Sequence, residues 1–164
     1  EQYIRTTDPG SAAGFSLAAE RVLNKWARVQ GGYATVDQNY GGLNADRIQH
    51  GVRAVEDPEL MKRLADSDVC LDVCPTSNLL LSVVPSLDQH MLPQLLDAGI
   101  RCSLNGDDPL LFGTNLAEEY EVARDVLGLD DAALARVATC SIDGSGAPES
   151  VKQEARAAIA AWLG

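Results

Sequence analysis

Short apolar stretches alternate with amphipathic stretches along most of this chain. The apolar stretches predict three strands, Arg47–Gln49, Val69–Val73 and Ile100–Leu104. The amphipathic stretches predict five helices, Pro58–Ala65, Asp88–Asp97, Asn115–Leu127, Asp130–Cys140 and Pro148–Leu163. Because strands that alternate with helices form parallel sheets, this pattern favours an α/β fold of the (β/α) barrel type.

Turn and cap signals agree with this alternation. Asp57 followed by Pro58 is typical of an N-cap and a first helical residue, and Gly99 is expected to terminate the helix before the third strand. The segment from Pro75 to Pro85 is predicted to be a loop.

The first 44 residues fit the barrel pattern poorly. They predict a helix over 15–29 and a short strand over 31–36. The segment Asp37–Asn44 that follows is too short and too rich in glycine for a parallel crossover, which takes about a dozen residues. We treat 1–164 as a single domain and expect stretches of a barrel to be missing on both sides of Gly31-Gly32.

Candidate site residues follow the predicted strands, where the side chains of a barrel face one mouth. His50 follows the first strand, and an imidazole there could hold or deprotonate a water molecule. The alternative is a histidine that packs at the strand end. Asp107 and Asp108 follow the third strand, and two adjacent carboxylates can serve two different partners. The alternative is that they cap the segment beginning at Pro109.

The order and spacing of these motifs resemble the second half of an adenosine deaminase. The runs that carry the resemblance are Arg47-Ile-Gln-His-Gly51, Cys74-Pro-Thr-Ser-Asn78, Asp107-Asp-Pro-Leu-Leu-Phe-Gly113 and Glu119-Tyr120. The match is good over 45–161 and poor over 1–44. It implies a (β/α)8 TIM barrel of the metal-dependent hydrolase type, of which this chain covers an incomplete, mainly C-terminal portion. Gln49 stands where the family usually has glycine.

The resemblance also implies a function and residue roles. The family performs zinc-dependent hydrolytic deamination of adenosine or a related 6-aminopurine. By correspondence, His50 positions or activates the attacking water, Asp107 binds zinc and Asp108 hydrogen-bonds the purine. The run Cys74–Asn78 is expected to shape the wall of the mouth. His90 is expected to be structural or to face solvent.

Several residues that the family needs do not occur in this sequence. The family's zinc site uses a His-x-His pair and a further histidine, whereas this chain has two histidines in all. The family's general acid is a glutamate, and this chain offers only Asp37 near the corresponding place. The chain alone is therefore not expected to hold Zn²⁺. It is either part of a longer enzyme or a degenerate homologue that binds a nucleoside or a protein partner. A deaminase for another aminopurine derivative is a third reading.

Charge and cysteine content narrow the partners. The formal net charge of −11 disfavours nucleic acid and anionic membrane as partners, since both attract basic surfaces. The expected partner is a small purine nucleoside, and the oligomeric state is undetermined. The four cysteines have no secreted-framework spacing and are expected to be reduced, and no apolar run approaches the roughly 18 residues of a membrane span. The cytoplasm is the default compartment.

Overall fold

A computed structural model describes residues 46–164. They form three parallel strands in the order β1-β2-β3, namely β1 (Arg47–Gln49), β2 (Cys70–Val73) and β3 (Arg101–Leu104). The α-helices are α1 (Pro58–Ala65), α2 (Pro75–Leu80), α3 (Leu92–Asp97), α4 (Pro109–Phe112), α5 (Leu116–Asp125), α6 (Asp131–Asp143) and α7 (Glu149–Trp162). Short 3₁₀ helices lie at Val52–Glu56 and Leu87–Gln89. The predicted α/β class is confirmed, and each strand lies within one residue of its predicted bounds.

The pairing register gives the sheet one apolar and one polar face. Ile48, Leu71 and Cys102 are partners across the three strands and are buried. Because successive side chains of a strand point to opposite faces, the next set of partners, Gln49, Asp72 and Ser103, lies on the other face. The apolar core of the sheet includes residues of α1, α3 and α6.

Local capping explains where several helices begin. The side chain of Asp57 accepts hydrogen bonds from the backbone of Glu59 and Leu60, and Pro58 occupies the first turn of α1, as predicted. Asn115 and Glu118 form a capping box at the start of α5. Helix α6 begins one residue later than predicted and continues three residues further, to Asp143.

Two predictions between β2 and β3 were wrong. The predicted loop from Pro75 to Pro85 contains helix α2, which starts at Pro75 because proline fits the first turn of a helix. The predicted helix Asp88–Asp97 begins only at Leu92, since His90 has an extended backbone and Pro93 stands in the first turn.

The predicted helix over 15–29 and the predicted strand over 31–36 lie outside the described residues. Within residues 46–164, no helix combines the length and the apolar character that crossing a bilayer requires.

Truncation of Leu71 tests the placement of the core. Leu71 lies in the central strand with 0% of its surface exposed, and Leu→Ala changes at such sites cost about 2–5 kcal/mol of unfolding free energy. We expect Leu71→Ala to lower the denaturation midpoint strongly, as measured by circular dichroism in urea. Leu110→Ala is the matched control, because Leu110 is 99% exposed. Equal midpoints for both variants would contradict this core.

Candidate active site at the carboxyl ends of the strands

His50 and Asp107 meet at one edge of the sheet. His50 follows β1 and Asp107 lies three residues beyond β3, and Nε2 of His50 is 3.5 Å from Oδ2 of Asp107. Both have left-handed backbone conformations, with φ of 57° and 55°. Such conformations are uncommon outside glycine and cluster at functional sites. The structure therefore brings together two of the three residues that the sequence singled out.

Gly51 allows the chain to turn directly after His50. Its φ is 65°, so His50 and Gly51 are two consecutive left-handed residues. A Cβ atom at Gly51 would lie 2.8 Å from Cδ2 of Leu71. Glycine therefore provides both the backbone conformation and the close approach to the central strand.

A polar cavity opens at this point. Its volume is about 390 Å³, and it is lined by Gln49, His50, Asp72, Cys74, Asn105, Gly106 and Asp107. Gln49, which stands where the family usually has glycine, is exposed and is one of the lining residues. The size and polarity of the cavity suit a small polar ligand.

Ser77 holds the carboxylate of Asp107. The hydroxyl of Ser77, a fully buried residue of helix α2, donates a hydrogen bond of 2.6 Å to Oδ2 of Asp107. The side chain of Asp107 remains 29% exposed, so the carboxylate is anchored on one side and open to the cavity on the other.

The second ring nitrogen of His50 contacts a buried polar network. Nδ2 of Asn78 lies 3.2 Å from Nδ1 of His50, and Oδ1 of Asn78 lies 3.1 Å from Nε2 of His90. His90 is buried, so the expectation that it is structural agrees with its position and the solvent-facing alternative does not. Burial lowers the pKa of His90 to about 4.

Burial keeps the imidazole ring of His50 mainly in its uncharged form. Burial lowers the pKa of His50, and the carboxylates of Asp107 and Asp72 oppose that shift. Because the pKa is lowered from its ordinary value, His50 is predominantly uncharged at neutral pH.

An ion pair fixes the polar face below the cavity. The guanidinium of Arg47 forms two hydrogen bonds with the carboxylate of Asp72, one of them from Nε at 3.0 Å, and a further one with Oγ of Ser103. The Ser103 hydroxyl in turn donates to Oδ1 of Asp72. Asp72 was not singled out from the sequence, although a charged residue inside an apolar strand was the available signal.

Asp108 does not line the cavity. Its Oδ1 accepts hydrogen bonds from the backbone of Leu110 and Leu111, so it is the N-cap of α4. This is the alternative reading of the Asp-Asp-Pro run, and the hydrogen bond to a purine remains a prediction.

Glu119 supports α2 from the neighbouring helix α5. It is fully buried, and its Oε2 accepts a hydrogen bond of 3.2 Å from the backbone N–H of Thr76. Burial raises the pKa of Glu119. The Glu119-Tyr120 pair carried part of the sequence resemblance, but its contact with α2 could not be read from the pattern.

The described residues fit part of a metal site. One group of potential ligands occurs within 46–164: donor atoms of His50, Cys74 and Asp107 that all lie within 4.8 Å of one another. Burial, followed by nearby carboxylates, raises the pKa of Cys74 to about 12, so its sulfur is a thiol at neutral pH, whereas metals bind the thiolate. The open carboxylate of Asp107 fits one ligand position of a zinc site, which requires three or four protein ligands.

Comparison with known proteins places this geometry in a family. Residues 19–162 match the family model for adenosine deaminase. Over 132 residues the chain is 49% identical to a putative adenosine/adenine deaminase of Streptomyces coelicolor, a match that covers 80% of this chain and 38% of that protein.

Solved structures agree in fold. The adenine deaminase of Arthrobacter aurescens has a TM-score of 0.72 and 33% identity, and the match covers 77% of this chain and 38% of that chain. An Arabidopsis ADAL in complex with IMP has a TM-score of 0.61 and 28% identity, with 71% and 34% covered. A Burkholderia ambifaria amidohydrolase with bound Zn has a TM-score of 0.62 and 31% identity, with 70% and 32% covered.

These matches confirm the predicted TIM-barrel type of α/β fold, to which the described residues contribute three parallel strands. The chain spans less than half the length of the curated relatives it matches. The family match begins at residue 19, ahead of the motifs that start near Ala45. The chain belongs to the adenosine deaminase family.

Proposed function

We propose that the protein carrying this chain is a metal-dependent hydrolase that deaminates adenosine or a related 6-aminopurine. Water replaces the 6-amino group by oxygen, and ammonia leaves. The observation that carries the proposal is the polar cavity in which His50 and Asp107 face each other at the carboxyl ends of the strands. Relatives named adenosine/adenine deaminase and adenine deaminase support this reaction class.

Each of the three candidate residues has a separate role in this proposal. His50 positions or activates the attacking water in the cavity. Asp107, with one side open to the cavity, is one ligand of a zinc ion, which when bound would supply Lewis-acid activation of water. Asp108 hydrogen-bonds the purine through the part of its carboxylate that does not cap α4.

The cofactor and the ligand class are supported by two structural neighbours. One is an amidohydrolase with bound Zn, and another was crystallised with IMP, a purine nucleotide. The remaining zinc ligands and the general acid lie outside the described residues in this proposal. Adenine and adenosine are both tested as substrates, because several relatives are named adenine deaminase.

The zinc content of the 164-residue chain tests the metal assignment. The described residues bring one carboxylate that resembles a family zinc ligand, and three or four protein ligands are needed, so elemental analysis after dialysis should find far less than one zinc per chain. A full equivalent would contradict this expectation. Loss of that equivalent in Cys74→Ser would then identify the His50, Cys74 and Asp107 cluster as the site.

Substitutions in the complete natural protein test the chemistry. Its activity is followed by ultraviolet absorbance and ammonia release with adenosine and with adenine. Asp107→Ala should abolish turnover and metal retention, whereas His50→Ala should keep the metal and lower kcat by about 10²- to 10⁴-fold. Asp125→Ala, which removes an exposed carboxylate on α5, is the control and should behave as the parent.

Near-normal turnover in both site variants would refute the residue assignments. A protein that retains zinc but deaminates no aminopurine would refute the substrate class.

Asp108 can be tested separately from its capping role. Asp108→Ala should raise KM and lower kcat, but it also removes the cap of α4, which costs about 1 kcal/mol. Asp108→Asn retains a capping oxygen and changes the charge, so a raised KM at unchanged thermal stability isolates the contact with the base. A KM equal to that of the parent would assign Asp108 to capping alone.

A further inference from the structure

We propose that His90 and Asn78 are positioning residues that select the tautomer of His50, so that Nε2 of His50 carries the proton and faces Asp107. The hydrogen bonds themselves are read from the geometry alone. The effect of the selected tautomer on catalysis rests on the proposed function. Neither residue touches the cavity, and both act through the ring of His50.

The series of hydrogen bonds that leads to His50 begins at a group that can only donate. The backbone N–H of Leu92 donates a hydrogen bond of 3.0 Å to Nδ1 of His90, so that nitrogen must present its lone pair. A neutral His90 therefore carries its proton on Nε2. Burial keeps His90 neutral, because it lowers the pKa of the ring to about 4.

The protonation of His90 fixes the orientation of the Asn78 amide. The Nε2–H of His90 donates to the group 3.1 Å away, which must be the amide oxygen of Asn78. The amide nitrogen then faces Nδ1 of His50 at 3.2 Å. An amide NH₂ is only a donor, so Nδ1 of His50 must accept and the proton of the neutral ring resides on Nε2.

Burial makes the selection effective. The exposed fractions of His50, Asn78 and His90 are 4%, 2% and 5%. In the opposite tautomer of His50, an N–H would point at the NH₂ of Asn78 where both residues are almost fully buried. An unmet buried donor of this kind biases the equilibrium on the order of tenfold or more.

The selected tautomer decides between two roles for His50. The sequence left open whether the imidazole holds a water or deprotonates it. With the proton on Nε2, the nitrogen that faces Asp107 is a hydrogen-bond donor, so the neutral ring holds the oxygen of the attacking water and does not accept its proton there. The hydrogen bond from Asn78 on α2 thus makes Nε2 of His50 a donor toward the cavity.

Nuclear magnetic resonance of the complete protein, labelled with ¹⁵N-histidine, reads the tautomer directly. Long-range ¹H–¹⁵N spectra distinguish protonated from unprotonated ring nitrogens, and the signals missing from His50→Gln assign the ring. We expect Nε2 of His50 to be protonated and Nδ1 to be unprotonated at neutral pH, without substrate. The reverse pattern in the parent protein overturns the proposal, whatever the variants do.

Asn78→Asp changes one atom in the relay, by which we mean the hydrogen bonds that link Leu92, His90, Asn78 and His50. A carboxylate accepts from both sides, so Nδ1 of His50 should acquire a proton while Nε2 of His90 stays protonated. In the same variant kcat should fall on the order of 100-fold with little change in KM. Asn115→Asp is the matched control, because Asp also caps α5 and Asn115 lies outside the network; the tautomer should not change.

The two proposals fail in different ways. A protein that deaminates no aminopurine but shows the expected tautomer and the expected response to Asn78→Asp refutes the proposed function and supports the relay. A deaminase in which Asn78→Asp leaves the protonation of His50 unchanged refutes the relay and leaves the proposed function standing.

Discussion

Parallel pairing of three short strands is the constraint on which the site depends. In-register pairing of β1, β2 and β3 places their carboxyl ends along one edge. His50 and Asp107 follow the two outer strands of this set and therefore meet across the end of β2, although 57 positions separate them in sequence. The apolar partners that include Leu71 hold the pairing together, and the polar partners that include Asp72 lead into the cavity.

Helix α2 supplies the second layer of the site. Its buried Ser77 and Asn78 contact Asp107 and His50 respectively, and Glu119 on α5 accepts a hydrogen bond from its first turn. Hydrogen bonds between buried polar groups rigidify the groups that they join. The two residues at the cavity are thus oriented by side chains of one short helix.

The strands, most helices and the family were predictable because they depend on local pattern and on short motifs. Apolar runs predicted β2 and β3, and the Asp57-Pro58 cap predicted the start of α1. Helix α2 was missed because Pro75-Thr-Ser-Asn78 has the composition of a loop, and tertiary hydrogen bonds outweigh that local preference. The hydrogen bonds of His90 could not be read from the sequence because its partners are Asn78, twelve positions away, and a backbone N–H at Leu92. The capping by Asp108 was foreseen only as an alternative.

Anomalous diffraction at the zinc edge from crystals of the complete protein tests the proposed zinc site most directly. We expect a zinc ion with a carboxylate oxygen of Asp107 among its ligands and His50 outside its ligand set. We also expect Nε2 of His50 to lie within hydrogen-bond distance of a water in the cavity. A zinc ion bound by Cys74, or one remote from Asp107, would refute the proposed site.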